Sequence, residues 1–305
     1  MTRQLQEENS TQRSAGEGAR SRLVAGIPIT ERHLQLAGIS TAVLEGGNGP
    51  PIVLLHGPGE FAAKWLRVIP ELVTTHRVIA PDLPGHGASG SGDSTLDEER
   101  LLAWLVELID HTCHSPPVLV GHVLGGALAA RFAVARGDQL DRLVLVDSLG
   151  LAPFRPAPRF ALAMVHFMVR PNEHTYDRFM RQCSADLDGL RNEWGERWEP
   201  FESYQLELAR APGAKAVGRV MKEIGMPRIS PDDLARISTP TALIWGRHDR
   251  ANRLQIAEAA SARYGWPLHV IEDCADDPAR DQPEAFLRAL RKVLEAFPTT
   301  PEASP

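Results

Sequence analysis

The stretch VLVGHVLGGALAARFAVA, from Val118 to Ala135, decides how the rest of the chain is read. Val118–Val120 is a short continuous apolar run, the pattern of a strand covered on both faces. Gly121, Gly125 and Gly126 crowd a tight turn, and from Leu124 onward the apolar positions suit a buried helix. A buried strand that turns sharply into a helix is the repeating unit of an α/β sheet.

Other segments repeat that unit. HLQLAGISTAVLEGG predicts two short strands joined by a Gly-containing turn. PPIVLLHG, HRVIAPDLPGHG, DRLVLVDSLG, PTALIWGRHD and WPLHVIEDCA each offer one more strand. STLDEERLLAWLVELIDHTC predicts a helix with a Ser or Thr cap ahead of acidic residues. QPEAFLRALRKVLEAF predicts a closing amphipathic helix with Pro near its start. The alternation implies a doubly wound, mostly parallel sheet with helices on both faces. It breaks between 151 and 229, where helical pieces rich in Met and aromatics predict a helical insertion over the sheet. The expected organisation is a disordered polar tail at 1–25, a core formed by 26–150 with 230–305, and the insertion at 151–229.

Composition narrows the class. A chain of 305 residues, 43% of them hydrophobic, can bury one sizeable core with an insertion. A net charge of −6 offers no basic stripe for nucleic acid. No apolar run is long enough to span a bilayer, so no membrane partner is expected. The polar N-terminal stretch has no apolar export segment. Cys113, Cys183 and Cys274 are odd in number and far apart, which argues against a disulfide framework and for a reducing, cytoplasmic setting.

Ligands of doubly wound sheets bind beyond the carboxyl ends of the strands. HGPGE, DLPGHG, GHVLGG, GRHD and DCADDP all fall at such ends. In that order, His56-Gly57, Asp82-x-x-Gly85-x-Gly87, Gly121-His122-x-x-Gly125-Gly126 and Gly246-x-x-Asp249 resemble the α/β-hydrolase superfamily, from about His33 to Phe297. The resemblance implies an α/β-hydrolase fold, with the insertion as its helical cap. It also implies a nucleophile at the turn, an acid and a histidine, in that chain order.

Three positions depart from the pattern. The nucleophile aligns with Val123, which is chemically inert. The acid aligns with Asp249 and is retained. The histidine aligns with Asp276, because Pro278 and Pro283 fix the register. The residue after His56-Gly57 is Pro58, which has no N–H to offer an oxyanion; the N–H of Leu124 remains, and Gly59 would substitute only if its loop shifts. The resemblance therefore implies that no acyl-enzyme forms.

The remaining chemistry points to carboxylates. Glu60, Asp249 and Asp276 are expected to face one cavity, with one pKa raised by the proximity of Asp249 and Asp276. A protonated and an ionised carboxyl together can act as general acid and base. Each also has a structural reading: Asp276 and Asp277 precede a proline, where turns favour Asp, and Asp249 can organise its loop. His122 is expected to support the turn, and His56 and His86 to fix their loops. His248 can face the cavity or solvent. Cys274 is read as a buried small hydrophobe rather than a replacement nucleophile. Pro58, Gly59, His122, Val123, Leu124, Phe167, Trp194, Trp198 and His248 are the expected lining for a small hydrophobic or aromatic molecule. No cofactor and no metal site are expected, and a homodimer through the insertion or the closing helix is left open. Two functions follow: an enzyme using pocket carboxylates, or an inactive relative that binds a small molecule as receptor, carrier or regulator.

Overall fold

The computed structural model describes residues 18–92 and 95–296. Eight strands form one sheet in the order β1-β2-β4-β3-β5-β6-β7-β8. They are β1 Thr30–Leu36, β2 Ile39–Gly46, β3 Pro51–Leu55, β4 Arg77–Pro81, β5 Val118–His122, β6 Arg142–Val146, β7 Thr241–Gly246 and β8 Leu268–Ile271. β1 and β2 form a hairpin through Ala37 and Gly38, whose φ of 46° and 71° suit the right-handed twist of paired strands. β2 also pairs antiparallel with β4, and the remaining neighbours are parallel. β3, β5, β6 and β7 are buried along their whole length, which explains their unbroken apolar runs.

The helix after β5, Leu124–Arg136, is buried from Leu124 to Ala133. It lies so close to the sheet that a Cβ on Gly125 would sit 2.5 Å from the carbonyl oxygen of Leu55. The helix Glu98–Thr112 is capped by Asp97, which accepts from the N–H of Arg100, and not by Thr95. The expected Ser or Thr cap is thus replaced by an acid, which also complements the helix dipole. Ser94 lies outside the described residues.

The expected polar tail ends earlier than residue 25. Residues 18–24 are helical, with Ala19 and Leu23 buried. Arg20 reaches the carboxylate of Asp82 at 2.8 Å and Glu31 at 3.0 Å. Asp82 in turn accepts from the N–H groups of Ala62 and Ala88. The apolar spacing of Ala19, Leu23 and Ile27 and the buried ion pair outweigh the polar composition around them. Residues 1–17, the rest of that tail, lie outside the described residues.

Between β6 and β7 the described chain is helical, including Pro158–Val169, Glu173–Cys183, Leu187–Trp194 and Trp198–Arg210. Phe201 and Tyr204 of the last helix pack on Phe61, with ring centroids at 5.5 and 4.7 Å. Arg280 donates to the carbonyl of Cys183 at 2.8 Å. These contacts seat the helical segment on the loops after β3 and β8.

Candidate active site

The site begins at Val123, between β5 and its helix. Its backbone stands at φ 47°, ψ −100°, a left-handed geometry that is strained for a β-branched residue. The surroundings hold it there. Its N–H donates to Val146 and its carbonyl accepts from Ala127 and Leu149. The side chain is buried in the apolar core. Leu124 opens the helix, so its N–H has no acceptor within the helix.

His122 lies beneath this turn and joins two loops. Its Nε2 is 2.6 Å from the carbonyl oxygen of Asp276, and its Nδ1 is 3.2 Å from Oε2 of Glu60. The same Glu60 oxygen accepts from the N–H of Gly57 at 2.7 Å and lies 3.7 Å from Nζ of Lys64. Lys64 is fully buried, 3.0 Å from Asp277. Burial alone would raise the Glu60 carboxyl, but Lys64 and His122 overcome it and hold Glu60 well below the usual carboxylate range.

A second acidic group lies at the ends of β6 and β7. Oδ1 of Asp147 accepts from the N–H of Gly246 at 3.0 Å. Oδ1 of Asp249 accepts from the N–H groups of Ala251 and Asn252 at 2.6 and 2.8 Å. The other oxygen of each carboxyl, Oδ2, is buried without a hydrogen-bond partner among the described residues, and each acid acts on the other's ionisation. Burial pushes Asp249 up to about 7, against the Asn252 and Ala251 N–H groups that favour its ionised form. Burial and the neighbouring Asp249 hold Asp147 well above the usual range.

Asp276 stands between these groups. Burial holds its carboxyl well above the ordinary value, against Arg280, and Asp249 adds to the rise. Arg280 lies 3.8 Å from Asp276, 3.6 Å from Asp277 and 2.9 Å from Asp281. The side chains of Asp276 and Glu60 retain 13% and 18% of their exposure, whereas Asp147 is fully enclosed. Asp276 and Glu60 are therefore the acids of this group that an incoming molecule reaches first.

The three expected carboxylates thus belong to one network, but not as three free acids. Glu60 is committed to His122, Gly57 and Lys64. The nearer partner of Asp249 is Asp147, with Asp276 a further neighbour. Asp147, Lys64 and Arg280 were missed from the sequence, and Asp277 was read there only as a turn residue. Asp147 directly follows a buried strand, a signal that could have found it. Pro58 and Gly59 are half-buried beside Glu60, and Val123 and Leu124 are buried at the turn. His248 is exposed and is held by its backbone N–H to Cys274, so it faces solvent. Phe167 stacks on Phe179 and packs against Tyr176, inside the helical segment. Trp194 and Trp198 pack with Phe201, and Trp198 donates to Glu202. Phe201 and Tyr204, not those three, are the aromatics that meet Phe61 beside Glu60. Cys274 is fully buried and its thiol is pushed up by burial, which makes it a poor nucleophile.

Comparison with known proteins agrees with this architecture. A family model described as the alpha/beta hydrolase family matches residues 52–289. The chain is 26% identical over 278 residues to a 2-hydroxy-6-oxo-6-(2'-aminophenyl)hexa-2,4-dienoic acid hydrolase of Metapseudomonas resinovorans, covering 87% of this chain and 90% of that one. It is 27% identical over 276 residues to a pimeloyl-[acyl-carrier protein] methyl ester esterase of Aeromonas hydrophila, covering 85% and 99%. The solved 2-hydroxy-6-oxo-6-phenylhexa-2,4-dienoate hydrolase of Rhodococcus sp. shares the fold, with a TM-score of 0.76 at 24% identity over 88% of this chain and 99% of that one.

Proposed function

We propose that this chain, which belongs to the alpha/beta hydrolase family, is an enzyme that works without an acyl-enzyme intermediate. Val123 takes the nucleophile position, Asp276 the histidine position and Pro58 one oxyanion position. Valine cannot attack a carbonyl, and a carboxyl at 276 cannot serve as the imidazole base. The chemistry passes to carboxylates. Asp276 protonates or deprotonates the substrate or a water, and Asp249 with Asp147 supplies a shared proton behind it. The observation that carries this reading is the gathering of two buried carboxyls, Asp147 and Asp249, each with an Oδ2 unpartnered among the described residues, behind the partly exposed Asp276. Close acids whose environments keep one protonated at neutral pH are suited to acid–base work.

The substrate in this reading is a small hydrophobic or aromatic molecule, which reaches the partly exposed Asp276 and Glu60 first. The dienoic acid hydrolase among the relatives supports that class. The cysteines, unpaired among the described residues, fit a reducing cytoplasm. A second reading, an inactive member that binds a small molecule, is favoured by one observation: Oε2 of Glu60 is shared by His122, Gly57 and Lys64.

Metabolite profiling separates the two. A small-molecule extract of the source cells is incubated with catalytic amounts of protein, beside Asp249→Asn and Asp276→Asn. Consumption of a metabolite over many turnovers by the wild type alone supports the enzyme. Capture of at most one equivalent, equally by all three proteins, identifies a binder. Full turnover by Asp276→Asn removes that carboxylate from the chemistry.

A further inference from the structure

The helix Pro158–Val169 inverts the usual pattern of a surface helix. Phe160 and Ala163 are buried, and Met164 and Phe167 pack inward. Its outward face is also apolar. Leu162, Val165, Met168 and Val169 are 53%, 48%, 67% and 72% exposed. They make up four of the five large hydrophobic side chains exposed among the described residues. A helix that is apolar on its solvent side implies something to cover it.

The charges beside this face identify the cover. Between Asp147 and Glu173 the sequence has no acidic residue, but it has Arg155, Arg159, His166 and Arg170. All four are exposed, and no ion pair engages the three arginines among the described residues. This basic stretch stands out on a chain whose net charge is −6. A second copy docked face to face about a two-fold axis would bring arginines toward arginines. An apolar strip bordered by arginines instead matches a layer of acyl chains beneath anionic headgroups.

We infer that the outward face of Pro158–Val169 is a membrane-surface contact, which lays Leu162, Val165, Met168 and Val169 into the interface of an anionic bilayer while Arg155, Arg159 and Arg170 meet its phosphates. No helix among the described residues is long and apolar enough to cross a membrane, so the contact is peripheral. The sequence-based expectation of no membrane partner rested on spanning segments alone. Peripheral contact depends on the exposed face of one helix, which only the packing reveals.

The test is vesicle flotation of the full chain, using phosphatidylcholine vesicles with and without phosphatidylglycerol. The wild type is expected to float with the anionic vesicles, to stay behind with pure phosphatidylcholine and to be released by high salt. Each Arg→Gln change at 155, 159 or 170 is expected to weaken partitioning about fivefold. Met168→Asp and Val169→Asp are expected to abolish it; both sites are exposed, and an unchanged melting temperature verifies folding. Failure to float with either vesicle overturns the inference. So does equal flotation with both. A dimer in light scattering that Met168→Asp converts to monomer also overturns it and assigns the face to a second copy.

Discussion

Asp147 and Asp249 lie buried beyond the ends of β6 and β7, each with Oδ1 bonded to backbone N–H and Oδ2 left without a hydrogen-bond partner among the described residues. Two neighbouring buried acids do not both ionise cheaply, so a proton is retained toward neutral pH. That proton makes stability depend on pH. Asp249 is raised from 3.8 to about 7, so between those values the folded state keeps a proton that the unfolded chain has released. Rising pH through this window costs stability, by up to about 1.4 kcal/mol per pH unit. His56 and His86, lowered by burial to about 4 and about 3, act oppositely below pH 6.5. The difference between wild type and Asp249→Asn isolates the acid pair, since an amide can donate to Asp147 at every pH. Urea titration should find the variant gaining on the wild type as pH rises from about 4 to about 7. Parallel curves would mean that no proton is shared.

On the proposed reading, restoring ester hydrolysis requires two changes. Val123→Ser alone should leave p-nitrophenyl acetate turnover at background, because no imidazole stands at 276 to accept the serine proton. Val123→Ser with Asp276→His should raise it at least about tenfold, with Pro58 limiting the gain. Turnover by the single variant would show that the base lies elsewhere, with His122 the first candidate.

Arg280 is enclosed by Asp276, Asp277 and Asp281. Arg280→Met leaves those acids buried without their cation, at a cost of about 3–5 kcal/mol at neutral pH. Chemical denaturation should find the deficit shrinking toward pH 5, where more of the raised Asp276 and Asp281 carboxyls are protonated in both proteins. A deficit independent of pH would point to lost packing.

Arg20→Ala should cost about 3 kcal/mol, because Asp82 stays buried with only the Ala62 and Ala88 N–H groups. Arg20→Lys should recover part of it. A melting temperature equal to wild type would mean that residues 18–24 dock too weakly to matter.

The sheet was legible because its signal is redundant. β3, β5, β6 and β7 are buried throughout and mostly apolar, and each ends in a Gly- or Asp-bearing loop that marks the functional edge. The site was legible only where one residue carries its own sign, as Val123 and Asp249 do. Asp147 and Lys64 became important through partners 102 and 213 positions away, Asp249 and Asp277, and no local pattern encodes such a pairing. The start of the folded region was misread for the same reason. Arg20 looks like one more charge in a polar stretch until Asp82, buried in a loop after β4, gives it a counter-ion. Aromatic spacing located the helical segment but not which of its rings would face Phe61.

The position of His122 has a consequence for motion. One ring nitrogen is tied to the loop after β3 through Glu60, and the other to the loop after β8 through Asp276. Lys64 repeats the tie one layer away, between Glu60 and Asp277. Swinging either loop outward breaks contacts of the other, so the two loops breathe as one unit. In amide exchange, the Gly57 and Arg280 protons, each held by a carboxylate of this network, should open with a common free energy.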